Sequence, residues 1–475
     1  RDSSTWILQK LERLYPNQVL YPKQKEAIIA SIENPGNVTS VVIPTGSGKT
    51  RISQSLVMHL RIRNTGNGSK NGPVIILYPT ISLLDDQKSE WDKLNKDLER
   101  IGENKIAFRI LHSRELKRLS ESGDEFDYAE LLNGKLDVIL CSPESLVPKK
   151  GGISLLEIGM RLSNYVTEKP FSALIIDETH IIKDWGDSIR DAYLLIPSFQ
   201  RLLKRINPSF RTLLLSATLS PREEEDIISN SLKIEDDQVS KIRSKDIRKD
   251  LAYSIIDKEQ NWEQIIDETL DEFSNHNKWR NWRERDRHAP LLIYTFRIED
   301  CKRYANYIAS KGYRVDTYHG KTSNRQTILN KFQRNVIDVL VATSAFGMGV
   351  NKKDVWMIVY IGEPKTLREL YQAFGRAARG SNWYRDKGRK RNGNCILRHV
   401  KNRKIPYAPT ILSDKGLERF LASLDGFKLT DNGFLLMKMH SNQDIYWNPF
   451  DKSDYSEDNK SKLDSDLSEQ EINQI

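Results

Sequence analysis

Short aliphatic and β-branched runs recur along this chain, each closed by turn residues and followed by a stretch whose apolar positions have helical spacing. Residues 38–43, 74–78, 138–141, 173–176 and 212–216 form a first series. Their apolar residues are consecutive rather than alternate, as in strands covered by helices on both faces. Residues 15–32 and 51–63 read as helices, and the glycine-rich stretch 64–73 reads as a surface loop. A second series follows at 291–294, 315–318, 339–342 and 357–361. Two successive strand–helix series predict two α/β domains, each a parallel sheet flanked by helices. The polar, charge-rich segment 223–250 reads as the linker between a first domain at 1–235 and a second at 236–400. A short C-terminal extension at 401–450 and a tail at 451–475 follow, and no repeated unit is visible.

Composition narrows the class without naming a function. The 475 residues are 38% hydrophobic and 29% charged, which suits a globular protein with ample core. No apolar run is long enough to span a bilayer, so no membrane partner is expected. The three cysteines (Cys141, Cys301, Cys395) stand far apart, which excludes a disulfide framework and predicts a reducing, cytoplasmic setting. The chain opens on Arg1 rather than Met, and upstream sequence is expected. A net charge of +9 points to nucleic acid as partner. Residues 451–475 hold eight acids against three lysines and read as a disordered acidic tail. Nine Lys or Arg against the single Asp386 fill 385–404, a tract that fits a solvated loop as well as a phosphate contact. WRNWRERDRH at 279–288 fits either base stacking or a surface helix with its tryptophans turned inward.

Chemistry enters at Pro44-Thr45-Gly46-Ser47-Gly48-Lys49-Thr50, between a predicted strand and a predicted helix. Small residues there let backbone N–H groups turn inward around phosphate oxygens, and the helix presents its positive end. Lys49 would reach the β- and γ-phosphates of ATP, and the Thr50 hydroxyl would bind Mg²⁺. The run ALIIDETH at 173–180 delivers Asp177 to the end of a buried strand as a second Mg²⁺ ligand. Glu178 beside it can polarise the attacking water, because metal binding and water activation are separate tasks. These residues predict an ATPase.

Phosphate loop and Asp-Glu-x-His together resemble the superfamily two helicases, and further segments agree in order. Tyr21-Pro-Lys-Gln24 resembles the motif that contacts adenine, and Ser216-Ala217-Thr218 the motif that couples hydrolysis to domain movement. Residues 78–87 and 142–146 resemble the strand-binding motifs of the first domain, while 341–352 and 372–379 resemble motifs V and VI. The segment AFGMG followed by Val350-Asn351-Lys352, and Gln372 opening motif VI, most resemble RecQ-type DNA helicases. Asp184 to Arg190 resembles their aromatic-rich loop, with Trp185 and Arg190 matching and Ile189 where an aromatic is usual. The resemblance covers about residues 15–400 and stops after motif VI, where the family usually continues into a zinc module with four cysteines; here Cys395 is the one cysteine that follows, with no Cys/His cluster to hold the metal, so no zinc is expected.

The resemblance implies two tandem RecA-like domains with ATP between them. Gln24 would read adenine and Tyr21 pack on it. Thr45, Gly46, Ser47, Gly48, Lys49 and Thr50 would cradle the phosphates, and Arg376 and Arg379 would approach the γ-phosphate from the second domain. His180, Ser216, Ala217, Thr218 and Gln372 would relay closure. Trp185, Arg190, Arg325 and Thr343 would contact the strand. It implies 3′-to-5′ movement on single-stranded or tailed DNA. A translocase that remodels protein–DNA complexes inside a larger assembly, a non-enzymatic nucleotide-dependent clamp and an RNA motor are the alternatives.

Overall fold

A computed structural model describes residues 3–62, 72–111, 136–146, 171–184, 191–219, 221–244, 251–278, 290–346, 352, 355–362, 364, 367–377, 385–386, 389–390, 393–400, 427–429 and 434–437. The chain divides into two compact units, Arg1–Ser244 and Lys245–Ile475.

The first unit is built on strands β1 (Val38–Val42), β2 (Val74–Leu77), β3 (Phe108–Leu111), β4 (Val138–Cys141), β5 (Ala173–Ile176), β6 (Arg211–Ser216) and β7 (Val239–Arg243). They form one sheet in the order β3-β4-β2-β5-β6-β1-β7, and every pairing is parallel. Strands β1, β2, β4 and β5 are buried along their whole length, so the consecutive apolar runs do mark two-sided cover. Helices α1 (Ser3–Leu14), α2 (Pro22–Glu33), α3 (Lys49–Ile62), α4 (Ile81–Arg100) and α5 (Asp191–Ile206) accompany the sheet. One core joins Ile7 and Leu11 of α1, Ile28 of α2, Leu56 of α3 and Trp91 of α4 to alternate residues of the strands.

Two sequence expectations change here. The helix expected over 15–32 is broken: α1 ends at Leu14 and α2 starts at Pro22. Tyr21 stands extended at φ −64 and ψ 145, as a residue before proline is pushed to do, and Pro22 fits the first helical turn. The second change concerns the linker. Residues 223–250 contain the end of a helical turn (Pro221–Glu225), a π turn (Asp226–Ser231) and the whole of β7. Strand β7 pairs with β1 from Val38↔Val239 to Val42↔Arg243, which carries the first unit to Ser244 rather than to 235. As an edge strand with Ile242 as its one fully buried residue, it leaves almost no hydrophobic signature.

The second unit is built on β8 (Leu251–Gln260), β9 (Leu291–Thr295), β10 (Val315–Tyr318), β11 (Val339–Ala342), β12 (Met357–Ile361), a hairpin of β13 (Arg385–Asp386) and β14 (Arg389–Lys390), then β15 (Gly393–Val400), β16 (Phe427–Leu429) and β17 (Phe434–Met437). Its main sheet runs β10-β11-β9-β12-β15-β8-β17-β16, parallel as far as β8 and antiparallel beyond. Alternate residues feed two cores. Leu292, Tyr294, Leu340 and Tyr360 belong to one, and Leu291, Ile293, Val339 and Val359 to the other. Helices α6 (Trp262–Lys278), α7 (Ile298–Ser310), α8 (Arg325–Gln333) and α9 (Leu367–Phe374) complete the unit.

The basic tract at 385–404 is neither a plain loop nor all phosphate-facing. Its residues 393–400 are β15, an interior strand between β12 and β8. Arg398 on it is buried and donates to Glu268 Oε2 at 2.5 Å. Strands β16 and β17 lie inside the expected 401–450 extension but continue the second sheet, so these two strands add to the second domain. No helix among the described residues is long and apolar enough to cross a membrane. The stretches 279–288 and 451–475, whose character the sequence suggested, lie outside the described residues.

Candidate nucleotide and motor site

The phosphate-loop candidate leaves the carboxyl end of β1, the edge where open parallel sheets bind ligands. Ile43 N–H donates to Ser216 O at 3.2 Å, which ties the loop's start to β6. Ser47 N–H then turns back to Pro44 O at 3.2 Å, and Gly46 and Gly48 both stand at φ 81, which glycine adopts without penalty. Lys49 opens α3, a fourteen-residue helix with no acid in its first turn, so its positive end is not neutralised. Lys49 Nζ lies 3.4 Å from Ile43 O, folded back along the loop. The Thr45 hydroxyl is buried and has no hydrogen-bond partner. An orphan of this kind costs about 1–3 kcal/mol unless something meets it.

Gln24 is 2% exposed and sits against this loop. Its Nε2 donates to Gly48 O at 3.0 Å, and its Oε1 accepts from Tyr21 N–H at 3.3 Å. A Cβ on Gly48 would fall 2.2 Å from Gln24 Nε2, so glycine is required by contact as well as by backbone angle. Tyr21 itself is 61% exposed, free to receive a flat ring. Arg51, in the first turn of α3, stacks on Tyr15 with 4.1 Å to the ring centroid and donates to Gln18 Oε1 at 2.6 Å.

The carboxylates stand at the end of β5. Asp177 N–H donates to Leu77 O at 3.0 Å, and Asp177 Oδ1 accepts from Glu178 N–H at 3.0 Å. Glu178 has φ 52, a left-handed conformation uncommon for a residue with a side chain and one that clusters at functional sites. Thr179 holds this turn: its hydroxyl donates to Ile176 O at 3.0 Å and approaches Leu215 O at 3.1 Å, locking the ends of β5 and β6 together. No sequence pattern marked Thr179, because its role depends on two strands that are adjacent only in the folded sheet.

Burial raises the Asp177 carboxyl above the ordinary carboxylate range, the neighbouring charge of Glu178 raises it further, and Lys49 pulls it back down. Glu178 Oε2 is buried without a hydrogen bond, and His180 Nδ1 lies 3.5 Å from it. Two crowded carboxylates, a lysine, an orphaned hydroxyl and an open glycine loop form a donor set that fits a triphosphate with a divalent cation. The cation would supply the positive charge that the carboxylates lack.

His180 also brings the expected coupling residues together. Its Nδ1 lies 3.2 Å from Ser216 Oγ and 3.4 Å from Thr218 Oγ1, and Ser216 Oγ accepts from Thr218 N–H at 3.2 Å. Ala217 is 9% exposed between them. A chain of short contacts therefore joins Glu178 to the residues that follow β6.

In the second unit, Gln372 lies on α9 and Arg376 in the turn that follows, with Arg376 N–H donating to Ala373 O at 3.1 Å. Thr343 is buried where β11 ends; its N–H donates to Tyr318 O at 3.0 Å. Phe346 behind it is wedged edge-on against Tyr318 at 5.1 Å and Phe332 at 5.5 Å, which fixes the start of the AFGMG segment. Arg325 is exposed, but its guanidinium donates to Gly320 O and, at 3.2 Å, to Thr322 O, so it also braces the turn after β10. His319 in that turn is held below its usual titration range by burial, then by the nearby Lys302, Arg325 and Lys321.

Lys352, which the sequence groups with motif V, is 3% exposed. It donates to Asn335 Oδ1 at 2.6 Å and Gln333 O at 3.3 Å, where α8 ends. Trp185, Arg190 and Arg379 lie outside the described residues.

Against known proteins, the DEAD/DEAH box helicase family matches residues 21–227 and the helicase conserved C-terminal domain matches 268–381. The ATP-dependent helicase SGS1 of Saccharomyces cerevisiae is 26% identical over 380 residues, covering 79% of this chain and 23% of the yeast protein. The ATP-dependent DNA helicase RecQ of Pasteurella multocida is 25% identical over 374 residues, 78% of this chain and 50% of that protein. The chain thus spans half or less of the length of these relatives. Among solved structures, Mss116p bound to single-stranded RNA and AMP-PNP superposes with a TM-score of 0.61 at 15% identity, covering 89% of this chain and 82% of that one. That likeness shows the fold: two tandem RecA-like domains.

Proposed function

Because the chain belongs to the superfamily two helicases and carries a RecQ-like core, we propose that it is an ATP-driven motor that moves 3′ to 5′ along single-stranded DNA. The observation that carries this reading is the Asp177–Glu178 pair at the end of β5, with Glu178 left-handed at φ 52 and one of its oxygens buried and unbonded, in the same sheet as the strand that leads into the glycine loop. A pure binding module has no need of a second, strained carboxylate at that point. Lys49, Thr50 and Asp177 would hold the triphosphate with Mg²⁺, which when bound neutralises charge on the transferring phosphoryl oxygens. Glu178 would orient water and accept its proton, Gln24 would face the adenine edge, and Tyr21 would cover the base. Arg376 and Arg379 would complete the site from the second domain, so that hydrolysis waits on closure. Thr343, Arg325, Trp185 and Arg190 would meet the strand's backbone, giving little base preference and a steep salt dependence.

The test is ATP turnover with 3′-tailed, 5′-tailed and blunt DNA and with RNA. Glu178→Gln should lower stimulated turnover by about 10²–10⁴-fold while the chain stays folded, and Lys49→Ala should do the same. Unchanged turnover in both variants sinks the assignment, and stimulation by RNA alone moves the substrate from DNA to RNA.

A further inference from the structure

A polar network between Thr218 and the end of the first unit is used by none of the roles above. Glu224 is 4% exposed; it accepts from Ser40 Oγ on β1 and, at 2.6 Å, from Arg243 Nη2 on β7. The other arm of the same guanidinium, Nη1, donates to the Leu219 carbonyl at 2.7 Å. Three segments meet in this one group: the strand that leads into the phosphate loop, the residue just beyond Thr218, and the last strand of the unit. A buried ion pair is a weak stabiliser, since removing two ions from water offsets much of their attraction. What it supplies is position, because the guanidinium is a flat, rigid fork that cannot release one acceptor without turning on the other.

The surroundings are arranged for movement to pass through it. Thr218 Oγ1 is 3.4 Å from His180 Nδ1, and His180 faces Glu178. Arg243 ends β7, which stands at the edge of the sheet with β1 as its one neighbour among the described residues. Ser244 follows, its N–H held by Val42 O at 2.9 Å, and closes the unit. Directly behind Glu224 the chain makes the π turn Asp226–Ser231, with Leu232 N–H reaching back to Ile227 O at 2.8 Å. Such turns are rare and recur at functional sites.

We propose that Arg243, seated on Glu224, is a positioning residue that carries displacement of the Ser216–Thr218 segment to the point where the chain leaves the first unit for the second. It rests on the motor reading given above. Nucleotide-dependent shifts at Glu178 pass through His180 to Thr218; the Leu219 carbonyl moves with them and turns the guanidinium, and β7 follows at its free edge.

The full chain decides this with two variants. Arg243→Met/Glu224→Leu removes both charges together and leaves no buried ion alone. It should keep the wild-type melting profile and, to about twofold, the ATP turnover and KM seen without nucleic acid. Turnover with saturating single-stranded DNA should fall about tenfold, inside the range of about 5–150-fold typical of coupled sites. Arg243→Lys keeps the ion pair but not the fork, and should lose about threefold to fivefold of the stimulation alone. Should the double variant fail to fold, Arg243→Lys is decisive by the same measurement. Stimulation within about twofold of wild type in every folded variant overturns the proposal. A wild-type chain that hydrolyses ATP without any response to nucleic acid overturns the motor reading itself.

Discussion

Replacing Gly48 by alanine puts two separable strains on the phosphate loop. Gly48 stands at φ 81, where a side chain costs about 1–2 kcal/mol. The new Cβ would also lie 2.2 Å from Gln24 Nε2, and this polar group must then leave its 3.0 Å bond to Gly48 O. Losing that bond adds about 0.5–1.5 kcal/mol. Gly102 supplies the calibration, because it has φ 76 with nothing within 4 Å of the corresponding Cβ. Gly102→Ala should therefore report backbone strain alone, as a loss of about 1–2 kcal/mol in stability with unchanged nucleotide affinity. Gly48→Ala should weaken binding of a fluorescent ATP analogue by about 10–300-fold, the equivalent of the combined 1.5–3.5 kcal/mol. Adding Gln24→Ala to Gly48→Ala relieves the collision, so the two substitutions together should cost less than the sum of their separate costs. Additive losses, or an unaltered Kd in Gly48→Ala, would refute the reasoning that Gln24 and the loop share one tightly fitted contact.

Three further outcomes follow from other contacts. Lys352→Ala should lower stability by about 1–3 kcal/mol, read by calorimetry, because Asn335 Oδ1 and the end of α8 lose a charged donor; the slope of DNA affinity against salt should not change, whereas a phosphate-binding lysine would reduce it by about one. Gly36→Ala should destabilise the first unit by about 1–3 kcal/mol, since its Cβ would lie 2.0 Å from the Gln238 carbonyl oxygen, a backbone atom fixed where β7 begins beside β1. A wild-type urea midpoint in that variant would contradict the edge pairing. Glu272 is raised by burial, against the lowering influence of Arg398 and the Asn394 amide. A raised carboxyl holds its proton more tightly in the folded chain, so its contribution turns unfavourable as pH climbs from the unfolded value through the folded one. Glu272→Gln should therefore gain stability relative to wild type between acidic and neutral pH, and a relative loss over that interval would reverse the sign of the argument.

Elements whose signal is local could be read from the order of residues alone. The phosphate loop could be read because its chemistry needs small residues, a lysine and a hydroxyl in immediate succession at a strand–helix junction. Asp177 and Glu178 were legible because two adjacent carboxylates at the end of a buried strand are costly to desolvate and persist where a cation or a reacting water needs them. Most of the nine predicted strands could be placed because two-sided burial leaves runs of aliphatic and β-branched residues, although β10, Val-Asp-Thr-Tyr, has Tyr318 as its one fully buried residue. Whatever depends on adjacency between distant segments emerged only in the folded chain. Strand β7 has one fully buried side chain, and only its register against Val38–Val42 makes it part of the first sheet. Part of the basic tract at 385–404 became an interior strand because Glu268, on another element, takes up the charge of Arg398. Lys352 turned from a motif residue into the cap of α8 for the same reason, its acceptors being set by the end of another helix. Thr179, Glu224 and Arg243 carry no motif, since a hydrogen bond has no sequence signature when its partners meet only across a sheet. What the fold added was therefore less the chemistry than its connections: which residues hold the reacting groups in place, and through which contacts their movement can leave the site.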